Sequence, residues 1–176
     1  QDREGLLRNR QNYAAMIENI DQQIGRFIEV VKDRGELGNT LVVYSSDHGE
    51  MLGDHGMWGK NTWRYASAHV PLIVAGPGVT SGKVSQSLVN LYDLAETFLD
   101  FAGLESLPAS DARSLKPILE GNAEKHRECL VFGLKDWRAA WDGRFKLVLK
   151  EGNAPQLYDL DNDPWEDVNV ADKNPE

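Results

Sequence analysis

The strongest constraint on this chain is a β-branched run without alternation, LVVY at residues 41–44, which follows a long amphipathic stretch and opens directly onto polar residues. Upstream, Tyr13, Met16, Ile17, Ile20, Ile24, Phe27, Ile28 and Val31 recur at three-and-four spacing, which predicts a helix with one buried face, and Gly35 is placed to end it. A run such as LVVY, apolar at every position, fits a strand of a parallel sheet covered on both faces. VPLIVAGPG, residues 70–78, reads as a second strand of this kind. Helix, buried strand, then polar loop is the α/β pattern, in which ligands collect outside the carboxyl ends of the strands. Two strands cannot make a doubly covered sheet, because both flanks would be open edges, so the pattern predicts half of something larger.

Further along, residues 91–102 read as another helix stopped by Gly103, followed by a proline- and serine-bearing connection. From Arg127 the runs become short: ECLVFG, WRAAW, RFKLVLK and QLYDL, with Asp142-Gly143 as a hairpin turn. These predict a small antiparallel sheet. The chain therefore divides into a portion of an α/β core, residues 1–125, and an antiparallel-sheet subdomain, residues 126–176. The acidic, turn-rich close DLDNDPWEDVNVADKNPE is expected to wrap the surface.

Composition narrows the function. With 19 Lys+Arg against 28 Asp+Glu, the net charge of −9 disfavours a nucleic-acid partner, since a phosphate backbone is held by replacing its counterions with basic side chains. No stretch reaches the roughly 18 consecutive apolar residues of a membrane span. The single cysteine, Cys129, excludes an internal disulfide and is expected to be a buried strand thiol. The chain opens on Gln1, and its first residues have the composition of neither a signal nor a transit peptide, so upstream residues are expected to be missing and no cellular location is assigned.

The polar segment after LVVY is SSDHGEMLGDHGMWGK, residues 45–60. Asp47, His48, Glu50, Asp54 and His55 place five ligand-type side chains within nine residues, and carboxylate with imidazole can hold a divalent cation. Asp-His pairs also occur in ordinary turns. The position after a buried strand and the adjacent Gly49, which lets the backbone turn sharply, favour function. Lys60 supplies a positive charge suited to sulfate or phosphate oxygens, or is a surface lysine. Trp58, Trp63, Arg64 and Tyr65 line a sugar or aromatic site or pack the loop, with packing favoured for the tryptophans. His69 either lines the site or satisfies local backbone groups, and Asp21 and Asp93 fit a helix face and a helix start.

SDHGEMLGDHGMWGK resembles the segment of the sulfatases, within the alkaline-phosphatase superfamily, that carries an Asp-His or Asp-Asn metal pair and, thirteen residues after that Asp, a sulfate-binding lysine; Asp47 and Lys60 keep that spacing. HVPLIVAGPG, DLAETFLDFAG, SLKPILEG and LYDLDNDPWEDVN resemble further family signatures in the same order, with His69 where arginine is common and Glu96 replacing a proline. The resemblance implies the carboxyl-terminal part of an alkaline-phosphatase-like sandwich with a small antiparallel β subdomain. It implies Asp47 and His48 as metal ligands, with His48 alternatively contacting the sulfuryl group, Lys60 as the group that binds substrate oxygens and stabilises charge, and His55 as a pocket residue or a loop-stabilising one. Glu50 and Asp54 remain structural candidates.

The implied cation is Ca2+, with Mn2+ as the alternative, and the implied substrate is a sulfated small molecule or glycan. The family's nucleophile, a formylglycine made within C/S-x-P-S-R, has no counterpart in this chain, so it is expected in a missing amino-terminal half that acts as partner. The chain alone is then expected to be inactive. Two alternatives stand beside this reading: a phosphonate or phosphate ester hydrolase of the same superfamily, and a noncatalytic half-domain that packs on a partner.

Overall fold

A computed structural model of the chain describes residues 3–173. α1, Arg3–Asp33, is the expected long helix, and Gly35 stands at its carboxyl end with φ +72°. Its apolar stripe forms, yet none of its residues is buried, and Phe27 is 73% exposed. The expected buried face is therefore not covered by the described residues.

β1, Val42–Ser45, begins one residue later than LVVY and pairs with β2, Leu72–Ala75, through Val42↔Ala75 to Ser45↔Leu72. The pairing is antiparallel, which corrects the parallel arrangement expected from the sequence. A parallel return needs a crossover of a dozen or more residues, usually a helix. Here the connection holds only a 3-10 turn at Asp54–Gly56 and the four-residue α2, Tyr65–Ala68, so the chain doubles back. Both strands are also only partly covered, and Ile73 is 61% exposed.

α3, Asp93–Phe101, and α4, Lys116–Leu119, form a second layer of contacts in which Thr97 Oγ1 accepts from the buried Leu115 N–H at 2.9 Å. The carboxyl-terminal strands β3, Leu130–Leu134, β4, Trp137–Trp141, β5, Phe145–Lys150, and β6, Gln156–Asp159, make one antiparallel meander in sequence order. Asp142 Oδ1 accepts from the Arg144 and Phe145 N–H groups at 2.8 and 2.7 Å and closes the β4–β5 hairpin where the Asp-Gly pair predicts it. One face of this sheet is the main core: Trp137, Ala139, Val148 and Tyr158, with Trp63, Phe132 and Leu160 against it. Cys129 lies just before β3 and is exposed, contrary to the buried position expected from its apolar neighbours; the strand that buries Leu130 starts one residue later.

The solvent-accessible surface is 12136 Å². A compact monomer of this mass, 19.7 kDa, exposes about 8,600 Å² by the usual mass scaling. About 3,500 Å² is therefore in excess, and the open α1 stripe and the uncovered β1–β2 pair are where apolar surface is showing.

Candidate functional site

The end of β1 carries Asp47 and His48 into solvent. Gly49 donates from its N–H to Ser67 O at 2.8 Å, tying this turn to α2. A Cβ at Gly49 would lie 3.0 Å from the Ala66 carbonyl carbon and closer still to its oxygen. The glycine is thus required by backbone approach, which replaces the sharp-turn reason given by the sequence alone. Ser46 Oγ donates to His48 O at 2.7 Å and braces the same turn.

His48 Nδ1 lies 2.8 Å from Gly49 O. A carbonyl only accepts, so Nδ1 carries the proton, and in the neutral ring Nε2 is left with its lone pair. Nε2 stands 3.6 Å from Asp47 Oδ2, the Asp47 side chain being 85% exposed. An imidazole lone pair beside a carboxylate is a donor set that suits a divalent cation, and a backbone bond on the other ring nitrogen is how metal-bound histidines are oriented. Two donors make part of a cage, since the ions in question take four or more ligands. Among the described residues, no group of three or more His, Cys, Asp or Glu side chains comes together.

The segment after the pair closes on itself. Glu50 Oε1 accepts from the Leu52 and Gly59 N–H groups at 3.2 and 2.6 Å, Met51 N–H donates to Gly59 O at 2.9 Å, and the Met51 side chain is buried beneath. Asp54 pairs with Arg10 of α1 at 2.6 Å. Glu50 and Asp54 are therefore structural. This ring delivers Lys60 to the surface, where its ammonium has no hydrogen bond or ion pair among the described residues. His55 faces elsewhere: its Nε2 meets Trp165 O at 2.8 Å and its Nδ1 lies 3.7 Å from Asp167 Oδ1. The structure brings Asp47 and His48 into contact, sets Lys60 beyond the Glu50 ring, and engages His55 with the carboxyl-terminal segment.

A cleft of about 370 Å³ opens beside Asp47 and runs between the β2 side and the four-stranded sheet, with Tyr65, His69, Trp137 and Trp141 among its walls. The His69 ring stacks on Tyr65, centroids 4.3 Å apart at 14°. Burial pushes the His69 pKa down and the Tyr65 pKa up. Sequence reasoning left open whether His69 lines the site or satisfies local backbone groups. Its place beside Asp47 follows from the antiparallel return, which sets the start of β2 against the end of β1. Of the aromatic residues after Lys60, Trp63 packs edge-on against Trp137, centroids 6.0 Å apart, as expected, while Trp58 is exposed.

A helix-and-sheet layer followed by a small antiparallel sheet, with a polar site at the end of β1, defines the carboxyl-terminal region of an alkaline-phosphatase-like hydrolase fold. Two family models match: Sulfatase over residues 1–104, and N-sulphoglucosamine sulphohydrolase, C-terminal, over residues 53–176. The chain belongs to the sulfatase family. It is 33% identical to arylsulfatase K of Xenopus laevis, over 93% of this chain and 34% of that protein, and 34% identical to a choline-sulfatase of Rhizobium meliloti, over 96% and 34%. The chain thus spans about a third of the length of these curated relatives. Among solved structures it superposes on the phosphonate monoester hydrolase of Agrobacterium radiobacter with a TM-score of 0.84 at 33% identity, covering 93% of this chain and 37% of the other.

Proposed function

We propose that the chain supplies the cation- and oxyanion-binding half of an active site that hydrolyses sulfate esters. The observation that carries this reading is the pair at the end of β1, with the His48 Nε2 lone pair 3.6 Å from Asp47 Oδ2 and its tautomer held by Gly49 O. Asp47 and His48 would hold a divalent cation, Ca2+ or Mn2+, which when bound polarises the ester's non-bridging oxygens. Lys60, whose ammonium has no hydrogen bond or ion pair among the described residues, pairs with sulfate oxygens and offsets the negative charge that grows as the sulfur–oxygen bond to the leaving group breaks. Sulfated small molecules or glycans are the substrate class.

This chain carries no group in the role of nucleophile, which the missing amino-terminal half would supply as a formylglycine. The excess exposed surface supports such a partner, because α1 and the β1–β2 pair present apolar faces that a folded half would cover. The 176-residue chain alone is accordingly expected to show no turnover. His55 either lines the substrate pocket or stabilises the loop, and its two contacts to the carboxyl-terminal segment support the second role.

The likeness to a phosphonate monoester hydrolase supports a second reading, hydrolysis of a phosphonate or phosphate ester on the same donors. Rates of the intact protein on an aryl sulfate and an aryl phosphonate decide between them. In either case Lys60→Ala should lower kcat by about a hundredfold to a thousandfold, the usual loss on removing one charge-stabilising donor. Turnover by the isolated chain that Asp47→Ala abolishes would overturn the half-site assignment, and wild-type rates in Lys60→Ala would remove its oxyanion role.

A further inference from the structure

Among the described residues no hydrogen bond or ion pair holds the Lys60 ammonium, yet both flanks of its loop are gripped by one short stretch of the carboxyl-terminal region. On one side, His55 Nε2 donates to Trp165 O at 2.8 Å and His55 Nδ1 approaches Asp167. On the other, Glu166 Oε2 accepts from the Tyr65 N–H at 2.6 Å, and Glu166 O accepts from the Arg64 guanidinium. The grip points stand on either side of Lys60, at residues 55 and 64–65.

The inner grip is anchored on two buried charges. Glu166 is 1% exposed and pairs through Oε1 with Lys146, itself 2% exposed, which β5 turns inward on the same face as Val148. Lys146 Nζ also donates to Trp63 O at 3.0 Å, so this one ammonium holds both the loop and the carboxylate that binds the loop. Isolated buried charges are costly; these two are paired with each other, and each also binds a backbone group. His55 and Glu166 both adopt left-handed backbone, φ +51° and +60°, a conformation that non-glycine residues keep only where surroundings impose it. Asp163 accepts from the Glu166 and Val168 N–H groups at 3.1 and 2.8 Å and pre-forms the turn that presents Glu166.

We infer that the Trp165–Asp167 turn is a clamp on the Lys60 loop, with Glu166 a positioning residue that acts on the site through the Tyr65 backbone and Lys146 as its counter-charge. This rests on the proposed role of Lys60, and its structural half is testable without it.

In the intact protein, hydrogen exchange of peptides covering residues 58–66 would be followed in Glu166→Ala and Glu166→Gln, with Asp159→Asn, which breaks a pair with Arg144 elsewhere in the same subdomain, as control. Glu166→Ala is expected to speed exchange there by about tenfold or more while β3–β6 peptides keep the wild-type rate. It should also lower kcat/KM by about a hundredfold, the scale of a misplaced charge-stabilising group. Glu166→Gln, which keeps an acceptor for the Tyr65 N–H, should recover part of both losses, and Asp159→Asn neither. Unchanged exchange at 58–66, or a rise shared equally by the sheet, would overturn the clamp. Should Glu166→Ala not fold, His55→Ala must by itself loosen residues 52–60, and its failure to do so counts against the inference. Absence of turnover in the wild-type intact protein would instead refute the proposed function, leaving the exchange result to decide the clamp.

Discussion

Gly49→Ala is the substitution for which the structure makes the sharpest demand. The added methyl would meet the Ala66 carbonyl, 3.0 Å from its carbon and nearer to its oxygen, and would lie 3.3 Å from His69 O. All three atoms are backbone, so no side-chain rotation relieves the clash. The turn must move away from α2, and the Gly49 N–H to Ser67 O bond of 2.8 Å is then lengthened or lost. Overpacking of this kind costs about 1–3 kcal/mol, and the lost bond adds about 1 kcal/mol. The sum of about 2–4 kcal/mol corresponds to a fall in Tm of roughly 5–15 °C for a chain of this size. Gly25→Ala in α1 is the control: nothing lies within 4 Å of its added Cβ, and relief of the helix-interior glycine should stabilise by about 0.5–1 kcal/mol. Urea unfolding of both variants, analysed at constant slope, reads the difference directly. A Gly49→Ala loss below about 0.5 kcal/mol, no larger than a neutral surface change, would refute the claim that backbone approach positions the Asp47–His48 turn.

Other perturbations give equally definite outcomes. Asp93, fully buried at the start of α3, accepts from the Asn90 and Arg113 N–H groups at 2.9 Å and pairs with His126 and Arg127. Asp93→Ala strands the Arg127 charge, and urea unfolding should show a loss of about 3–5 kcal/mol. Burial pushes the Asp93 pKa up, but its hydrogen bonds from Arg127, Asn90 and Arg113 outweigh this and hold it below the usual 3.8. Its contribution is thus complete above about pH 3.8 and is lost as pH falls through the lower folded-state value. His126 is pushed below 6.5 by burial against the opposing pull of Asp93, so the folded state binds its proton later than the unfolded one does. Stability should begin to decline as pH drops through about 6.5, and His126→Gln should reduce that first step, to which the likewise depressed His69 also contributes, while keeping the later one. Cys129, exposed before β3, should react completely with a disulfide reagent in native buffer at the rate of the unfolded chain; a markedly slower native reaction would contradict its exposure.

The parts of the fold written in local pattern were legible. Three-and-four spacing marks α1, short apolar runs mark β3–β6, and Asp142-Gly143 marks their central hairpin. The direction of β2 was not, because a run apolar at every position looks the same in a parallel and an antiparallel strand, and only the connection between them decides. Of the candidate site, the sequence offers Asp47 and His48 as neighbours after a strand, and the structure sets their side chains 3.6 Å apart, since adjacency at a strand end suffices to bring this about. Glu166 left no such trace: its partners Tyr65 and Lys146 lie 101 and 20 residues away, and an acidic residue in an acidic tail gives no sign of burial. Asp93 does begin a helix as expected, but its Arg127 partner 34 residues on makes it an internal ion pair as well.

The four-pair ladder of β1 with β2 closes residues 46–71 at their base, with Ser45 Oγ donating to Pro71 O at 2.8 Å as a final stitch. The loop-closure entropy of this segment is therefore met by the strands and not by the loop's own sequence. Substitutions inside it that spare Gly49 and the anchors at Asp54, His55 and 63–65 leave the frame's register untouched, because those anchors and the ladder together fix the segment. A segment 46–71 taken from a relative should therefore fold on the same ladder only when it brings groups that answer Arg10, Lys146 and Glu166, so the segment and its anchors form one heritable unit.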